Sequence, residues 1–160
     1  EKTNHGVQTG AIVDVSGIAR TNADGEKYIQ ADWVSALGSV PVSPLAIRSS
    51  WLGGGPWLYN PATGAGQRGV TGGLGVNNIG LLATVWGRVD SVQWSPQPAR
   101  VMLDDGTGKL MRVDFPGGVT LPAAGSYVRA TGPVSCYASG GSILPRLLLR
   151  SQNDLQILSP

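Results

Sequence analysis

Hydrophobic and polar residues alternate along most of this chain with a period of two, the period of a strand that buries one face. In AIVDVSGI, residues 11–18, the alternation sets Val13 and Val15 on one face. Residues 82–89 group Ala83, Val85, Gly87 and Val89 and leave Thr84, Trp86 and Arg88 opposite. Residues 100–103 and 110–115 flank the run LDDGTGK, with Met111, Val113 and Phe115 sharing a face. Residues 126–132 and 145–150 complete the predicted strands, and only residues 31–37 (ADWVSAL) lean toward a helical turn. The pattern predicts an all-β protein.

A shift of 115 residues superposes GAIVDVSGIARTNADGEKYIQ (10–30) on GSYVRATGPVSCYASGGSILP (125–145). Gly10, Val13, Gly17, Ala23 and Gly25 then meet Gly125, Val128, Gly132, Ala138 and Gly140. Both segments read as glycine turn, strand, glycine, polar hairpin tip, strand; a chance likeness of two hairpins is the plain alternative. If the repeat holds, strands between residues 81 and 115 precede the second copy, and their counterparts in the first fall before residue 1. The first unit is then the back half of a domain whose front half is absent.

Between the copies, ten glycines over residues 48–80 resemble a flexible linker. Trp51, Trp57, Leu58 and Tyr59 argue otherwise, since a buried aromatic removes ~150–250 Å² from water. The segment is expected to be an ordered, irregular loop packed on a sheet or on a neighbouring chain. The resulting division is 1–47, 48–80 and 81–160.

Composition narrows the function. The 160 residues are 41% hydrophobic and 14% charged, which excludes a disordered charged tail, and no apolar run approaches the ~18 residues of a spanning helix. With 24 glycines and 11 prolines, many turns and little helix are expected. The net charge of +2 is no nucleic-acid signature by itself. After Phe115 the acidic Asp154 faces Arg129, Arg146 and Arg150, which reads as a solvated face before a basic binding face. One cysteine, Cys136, and one histidine, His5, exclude an intrachain disulfide and a Cys/His zinc site. The chain opens on Glu1 without a visible leader, which suggests a processed or excised product.

Candidate chemistry is thin. A phosphate loop needs a glycine separated by four residues from its Gly-Lys and a Ser or Thr behind it, and those positions are Leu103 and Leu110. Asp104 and Asp105 are adjacent and lack the closing Glu of a calcium loop, so Asp105-Gly106 and Thr107-Gly108 read as the turn of a hairpin, with a surface calcium site as the alternative. There is no GxSxG, no base near Cys136, and no paired carboxylates at a spacing suited to acid–base work. Cys136 reads as a small core or edge residue. No catalytic residue, metal or cofactor is expected.

The run VWGRVDSVQWSPQPARVMLDDGTGKLMRVDFPGGVTLPAAGSYVRATGPVSCYASGG resembles the OB-fold in its nucleic-acid-binding-like bacterial version. The features carrying it, in order, are a strand ending in Gly87-Arg88-Val89, the hairpin at LDDGTG, a fourth strand at AAGSYVRATG, and a fifth. The connector LGGG…NNIGLL is similar to those of tandem OB arrays in large secreted or surface bacterial proteins. The resemblance implies a complete five-stranded barrel over 81–160 and a partial unit, strands four and five, over 1–47.

In ligand-binding members the second and third strands carry stacking aromatics. Here the outward positions are expected to be Arg100, Met102, Asp104, Leu110, Arg112 and Asp114, none of them aromatic. A non-enzymatic, extracellular or cell-surface protein that assembles with copies of itself therefore leads. Val13, Val15, Tyr28, Ile29, Trp51, Trp57 and Tyr59 are its expected contact residues. The alternative is a single-stranded nucleic-acid module using Trp86, Arg88, Arg100, Lys109 and Arg112, and the third is carbohydrate binding.

Overall fold

Apart from two short 3₁₀ turns, every regular element is a strand. The computed structural model describes residues 7, 8 and 10–159, so Glu1 and His5 lie outside the described residues. Five strands form a barrel: β6 (Leu82–Gln93), β7 (Ala99–Asp104), β8 (Leu110–Phe115), β9 (Tyr127–Ser139) and β10 (Ser142–Leu148). β6, β7 and β8 pair antiparallel in sequence order. β8 runs parallel to β10, β10 antiparallel to β9, and β9 antiparallel to β6, which closes the ring. This is the Greek-key order of the expected OB-type barrel.

Closure needs two strands that serve two neighbours each. β9 pairs with β6 up to Pro133 and with β10 from Val134 onward. Gly132 sits at that change of partner, where a Cβ would lie 2.1 Å from the Leu148 carbonyl oxygen. β6 changes partner near Gly87, where a Cβ would come within 2.8 Å of the Asp104 carbonyl oxygen. The alternating apolar positions meet inside: Ala83, Val85 and Val89 with Val101, Leu103, Met111, Val113, Phe115, Val128, Ala130, Val134 and Leu147. Each Val, Leu, Met or Phe among them, fully buried, contributes ~1.5–3 kcal/mol.

Two further strands border the ring. β11 (Leu155–Ser159) pairs with β9 over Tyr127–Ala130, and β3 (Leu45–Ala46) lies parallel to β6. The connector is ordered, as expected. It contains β4 (Trp57–Asn60) and β5 (Ala65–Gln67), drops Leu52 into the core, and is pinned by Ser49 N–H donating to Asp105 (2.7 Å) and Gly53 N–H donating to Asn78 (2.8 Å). Its large aromatics do not supply that order: Trp51 and Trp57 stay mostly exposed.

The N-terminal part is a two-stranded antiparallel ribbon, β1 (Ala11–Thr21) with β2 (Lys27–Ser39). Pairing runs from Thr21↔Lys27 at the turn to Ala11↔Ser39 at the open end, a length of ~35 Å. Residues 31–37 are therefore extended, not helical. β1 supplies their hydrogen bonds across the ladder, and Trp33 and Val34 are strand formers. Bulges interrupt the register at Ile12/Val13 and at Ser16/Gly17.

Candidate functional site

The tip of the ribbon is bolted to the barrel. The Asn22 side chain accepts hydrogen bonds from the N–H groups of Asp24 (3.0 Å) and Glu26 (2.9 Å), which shapes the turn. The Asp24 carboxylate then accepts from Ala138 N–H (3.0 Å) and pairs with Arg146 (3.3 Å). Glu26 accepts from the Ser135 hydroxyl (2.7 Å), which also takes a bond from Arg146 Nε (3.2 Å). On the other side Gln67 accepts from Lys27 N–H (2.9 Å) and donates to the Gly25 carbonyl (3.2 Å).

Arg146 continues inward to Asp114 (3.5 Å), which is 3% exposed and gripped by Arg112 through two bonds of 2.5 and 2.9 Å. The Arg112 guanidinium lies 4.5 Å from the Tyr137 ring centroid, a cation–π contact. This corrects the expectation that Arg112 and Asp114 face solvent on a ligand surface: they form an ion cluster beneath the anchored tip. Of the arginines read as a solvated C-terminal face, Arg146 is half-buried in this cluster, whereas Arg150 pairs with Asp154 at the surface (2.6 Å).

Cys136 sits at the same anchor, fully buried, its thiol donating to the Asp24 carbonyl (3.4 Å). Desolvation, then the negative charges of Glu26 and Asp24, push its pKa up to about 11 against the pull of Arg146. A thiol held protonated in this way is not a nucleophile at neutral pH. The LDDGTGK run is the turn between β7 and β8, closed by Asp104 accepting from Gly106 N–H (2.8 Å) and Asp105 accepting from Thr107 N–H (3.0 Å). Burial alone raises the Asp105 pKa, but its bonds from Thr107 and Ser49 outweigh that and lower it. Among the described residues no three metal-ligating side chains cluster.

Beyond its tip the ribbon stands without a sheet around it. Cross-strand register and alternation place Val13, Val15, Gly17 and Ala19 of β1 on one face with Ile29, Ala31, Val34 and Ala36 of β2. Shifted by 115, the β1 set falls on Val128, Ala130, Gly132 and Val134, the core face of β9. The glycines agree in geometry too: a Cβ on Gly17 would strike the Gln30 carbonyl oxygen at 2.2 Å, as one on Gly132 would strike that of Leu148. Val128 is 0% exposed, whereas Val13 is 37% and Ile29 54% exposed and Val15, Ala31 and Val34 are half-buried. The ribbon thus carries a core face with no core beneath it. Among the described residues neither β1 nor β2 has a second strand neighbour.

Of the expected contact residues, Val13, Val15 and Ile29 share this face and Tyr28 lies on the opposite one. Trp57 lines a cleft of about 410 Å³ at the ribbon's anchored tip with Lys27 and Leu81, Trp51 lines an apolar groove on the connector, and Tyr59 is half-buried in β4. Sequence reasoning missed the exposed Ile18, Trp33 and Leu37, the last two because their segment was read as helical. Nothing in the sequence pointed to Asp24 and Glu26 as the anchor.

The nucleic-acid candidates are spread over the outer side of β6, β7 and β8, several of them already engaged. Trp86 stands opposite Arg129, and Arg88 opposite Tyr127, on the outside of β6 and β9. Arg88 also faces Asp104 across the β6–β7 ladder. Arg100 is engaged by Gln93 (2.7 Å), Arg112 is in the ion cluster, and Lys109 sits at the start of β8 near Ser49. No protein-family model matches the chain, and no curated protein matches it.

Proposed function

We propose that this chain is a non-enzymatic structural protein, extracellular or on a cell surface, that assembles with copies of itself into a filament or array through the N-terminal ribbon. The carrying observation is the ribbon's core face, which repeats the pattern of β9 yet is left partly exposed. An isolated hairpin is marginal in water, and free strand edges invite pairing with another chain. Anchoring the tip while leaving the body free presents that face to a neighbour. The extracellular setting follows the resemblance to tandem OB arrays, in which the ribbon is the strand-four and strand-five half of a second unit.

Size-exclusion chromatography with light scattering, and electron microscopy of the same sample, test this. Polymers that survive high salt are expected, because the contact is apolar. A monomer at every concentration reached would overturn the proposal.

A second reading, single-stranded nucleic-acid binding, draws on the pairing of Trp86 with Arg129 and of Arg88 with Tyr127. It predicts fluorescence anisotropy with labelled single strands that falls steeply with salt and is lost in Trp86→Ala. No anisotropy change at low salt would remove it.

A further inference from the structure

We infer that the ribbon is exchanged between copies, the tip of one chain seating in the anchor on the barrel of the next. This inference rests on the assembly reading above and names the joint that links the copies. Each half of the joint is shaped without the other. The tip is a self-contained turn: Asn22 N–H donates to the Glu26 carbonyl (3.0 Å), Gly25 N–H donates to the Asn22 carbonyl (3.0 Å), and the Asn22 side chain holds the N–H groups of Asp24 and Glu26. The anchor is fixed from behind. Arg146 pairs with Asp114 (3.5 Å) and donates to the Ser135 hydroxyl (3.2 Å), while Ala138 belongs to β9 and Gln67 to β5. Two parts shaped in advance rejoin at little ordering cost.

The contact within one chain selects the occupant. Asp24 meets Ala138 N–H and Arg146, Glu26 meets the Ser135 hydroxyl, and Gly25 and Lys27 meet Gln67. The tip of a second copy offers the same groups to the same anchor. These links are hydrogen bonds and an ion pair, which water replaces when the tip lifts. Among the described residues, neither β1 nor β2 makes more than isolated contacts with a strand outside the ribbon. Little besides the tip ties the ribbon to its own barrel.

The hinge lies at the far end of the ribbon. Residues 40–44, VPVSP, join β2 to β3 and are exposed, and among the described residues 41–44 make no backbone hydrogen bond, so turning the ribbon about them breaks none. Pro41 and Pro44 fix their own φ and bias Val40 and Ser43 toward extended backbone. With the tip ~35 Å from that hinge, a swing carries it clear of its own barrel. The joint is the same in the closed and the exchanged state, so its free energy cancels. The net gain is the ribbon's core face covered between copies, set against the entropy of association. Each copy gives one tip and receives one, so the contact is heterologous and propagates as a chain.

The test uses the full-length chain with Asp24→Ala and Glu26→Ala, which keeps its anchor but cannot fill it. Its Cys136, covered by the tip in the wild type, is expected to react with iodoacetamide. Wild type concentrated together with the variant is expected to slow that reaction at least ~10-fold, the protection of a site about nine-tenths occupied. Intact mass tells the two chains apart. The variant is also expected to cap wild-type polymers and shorten them in light scattering, because it receives a tip and gives none. If wild type assembles while the variant's Cys136 reacts as fast as it does alone, each tip stays on its own barrel; the exchange fails and the assembly reading stands. If wild type itself stays monomeric, that reading fails and the exchange with it. Should Cys136 stay closed to the reagent in the variant, the capping decides, and polymers of undiminished length overturn the exchange. Circular dichroism checks folding, and Asp24→Ala alone, with the same readouts, serves should the double variant misfold.

Discussion

Two hairpins of this chain share one pattern and have opposite fates. In β9–β10 the alternating apolar face is sealed inside the barrel; in β1–β2 its counterpart is left partly exposed. The local sequence does the same work in both, down to the glycine that lets the partner's carbonyl approach. What differs is the company. β9 has β6 and β11 beside it and β10 has β8, whereas the ribbon has itself and an anchored tip. Burial is thus a property of the assembly around a hairpin, and a face built for burial but left open is a statement about partners.

The sharpest way to break the comparison is to place the same charge on both faces. Val128→Asp should cost at least ~4 kcal/mol of barrel stability, since a carboxylate would be buried without a partner. Val15→Asp should leave the denaturation midpoint of the monomer within ~0.5 kcal/mol of wild type while suppressing assembly. A large loss of monomer stability from Val15→Asp would mean that the ribbon's face is already packed on its own barrel.

Next in size is the anchor. Arg146→Ala strands Asp114 without one of its cations and releases Asp24, with an expected loss of ~3 kcal/mol in urea unfolding. Hydrogen exchange in the ribbon tip should rise with it. Smaller again is the glycine pair. Gly132→Ala should cost ~2 kcal/mol through overpacking against Leu148. Gly17→Ala should speed amide exchange within the ribbon and leave the global midpoint in place. Equal global losses from the two would show that ribbon and barrel unfold as one unit.

Two titrations finish the series. The Cys136 thiol, with its pKa raised to about 11, should resist alkylation at pH 8 in wild type and react readily in Asp24→Ala, where the tip no longer covers it. Because its folded pKa exceeds the unfolded value near ~8.5, its contribution to stability is complete below that pH and is lost as pH rises through about 11. For Asp154, burial raises the carboxyl pKa, but bonds from Arg150 and Ser151 outweigh it and lower the value. That stability is present above the unfolded pKa of ~3.9 and lost as pH falls through the folded one. The pair is partly solvated, so the gap between wild type and Asp154→Asn should be under ~1 kcal/mol at pH 6 and should close by pH 2.

The barrel was legible in the sequence because its strands bury one face each, and burial writes a period of two that no helix tolerates. The 115-residue repeat was legible for the same reason. Residues 31–37 misled because two bulges break their alternation: Asp32 and Leu37 are skipped in the pairing with β1, so Ala31, Val34 and Ala36 share a face at uneven spacing. Arg112 and Asp114 misled in the opposite direction. On an outer face charged residues read as solvated, and it is β10, running beside β8 and bringing Arg146 to Asp114, that turns them into a buried cluster.

The sequence by itself determined the class of fold, the barrel strands and their inward faces, because those follow from local alternation and turn chemistry. The tertiary structure decided which hairpin is buried, which ions are paired, and where the ribbon is held. Those depend on approaches between distant segments, such as Asp24 with Ala138 and Arg146, whose free energies no local pattern encodes.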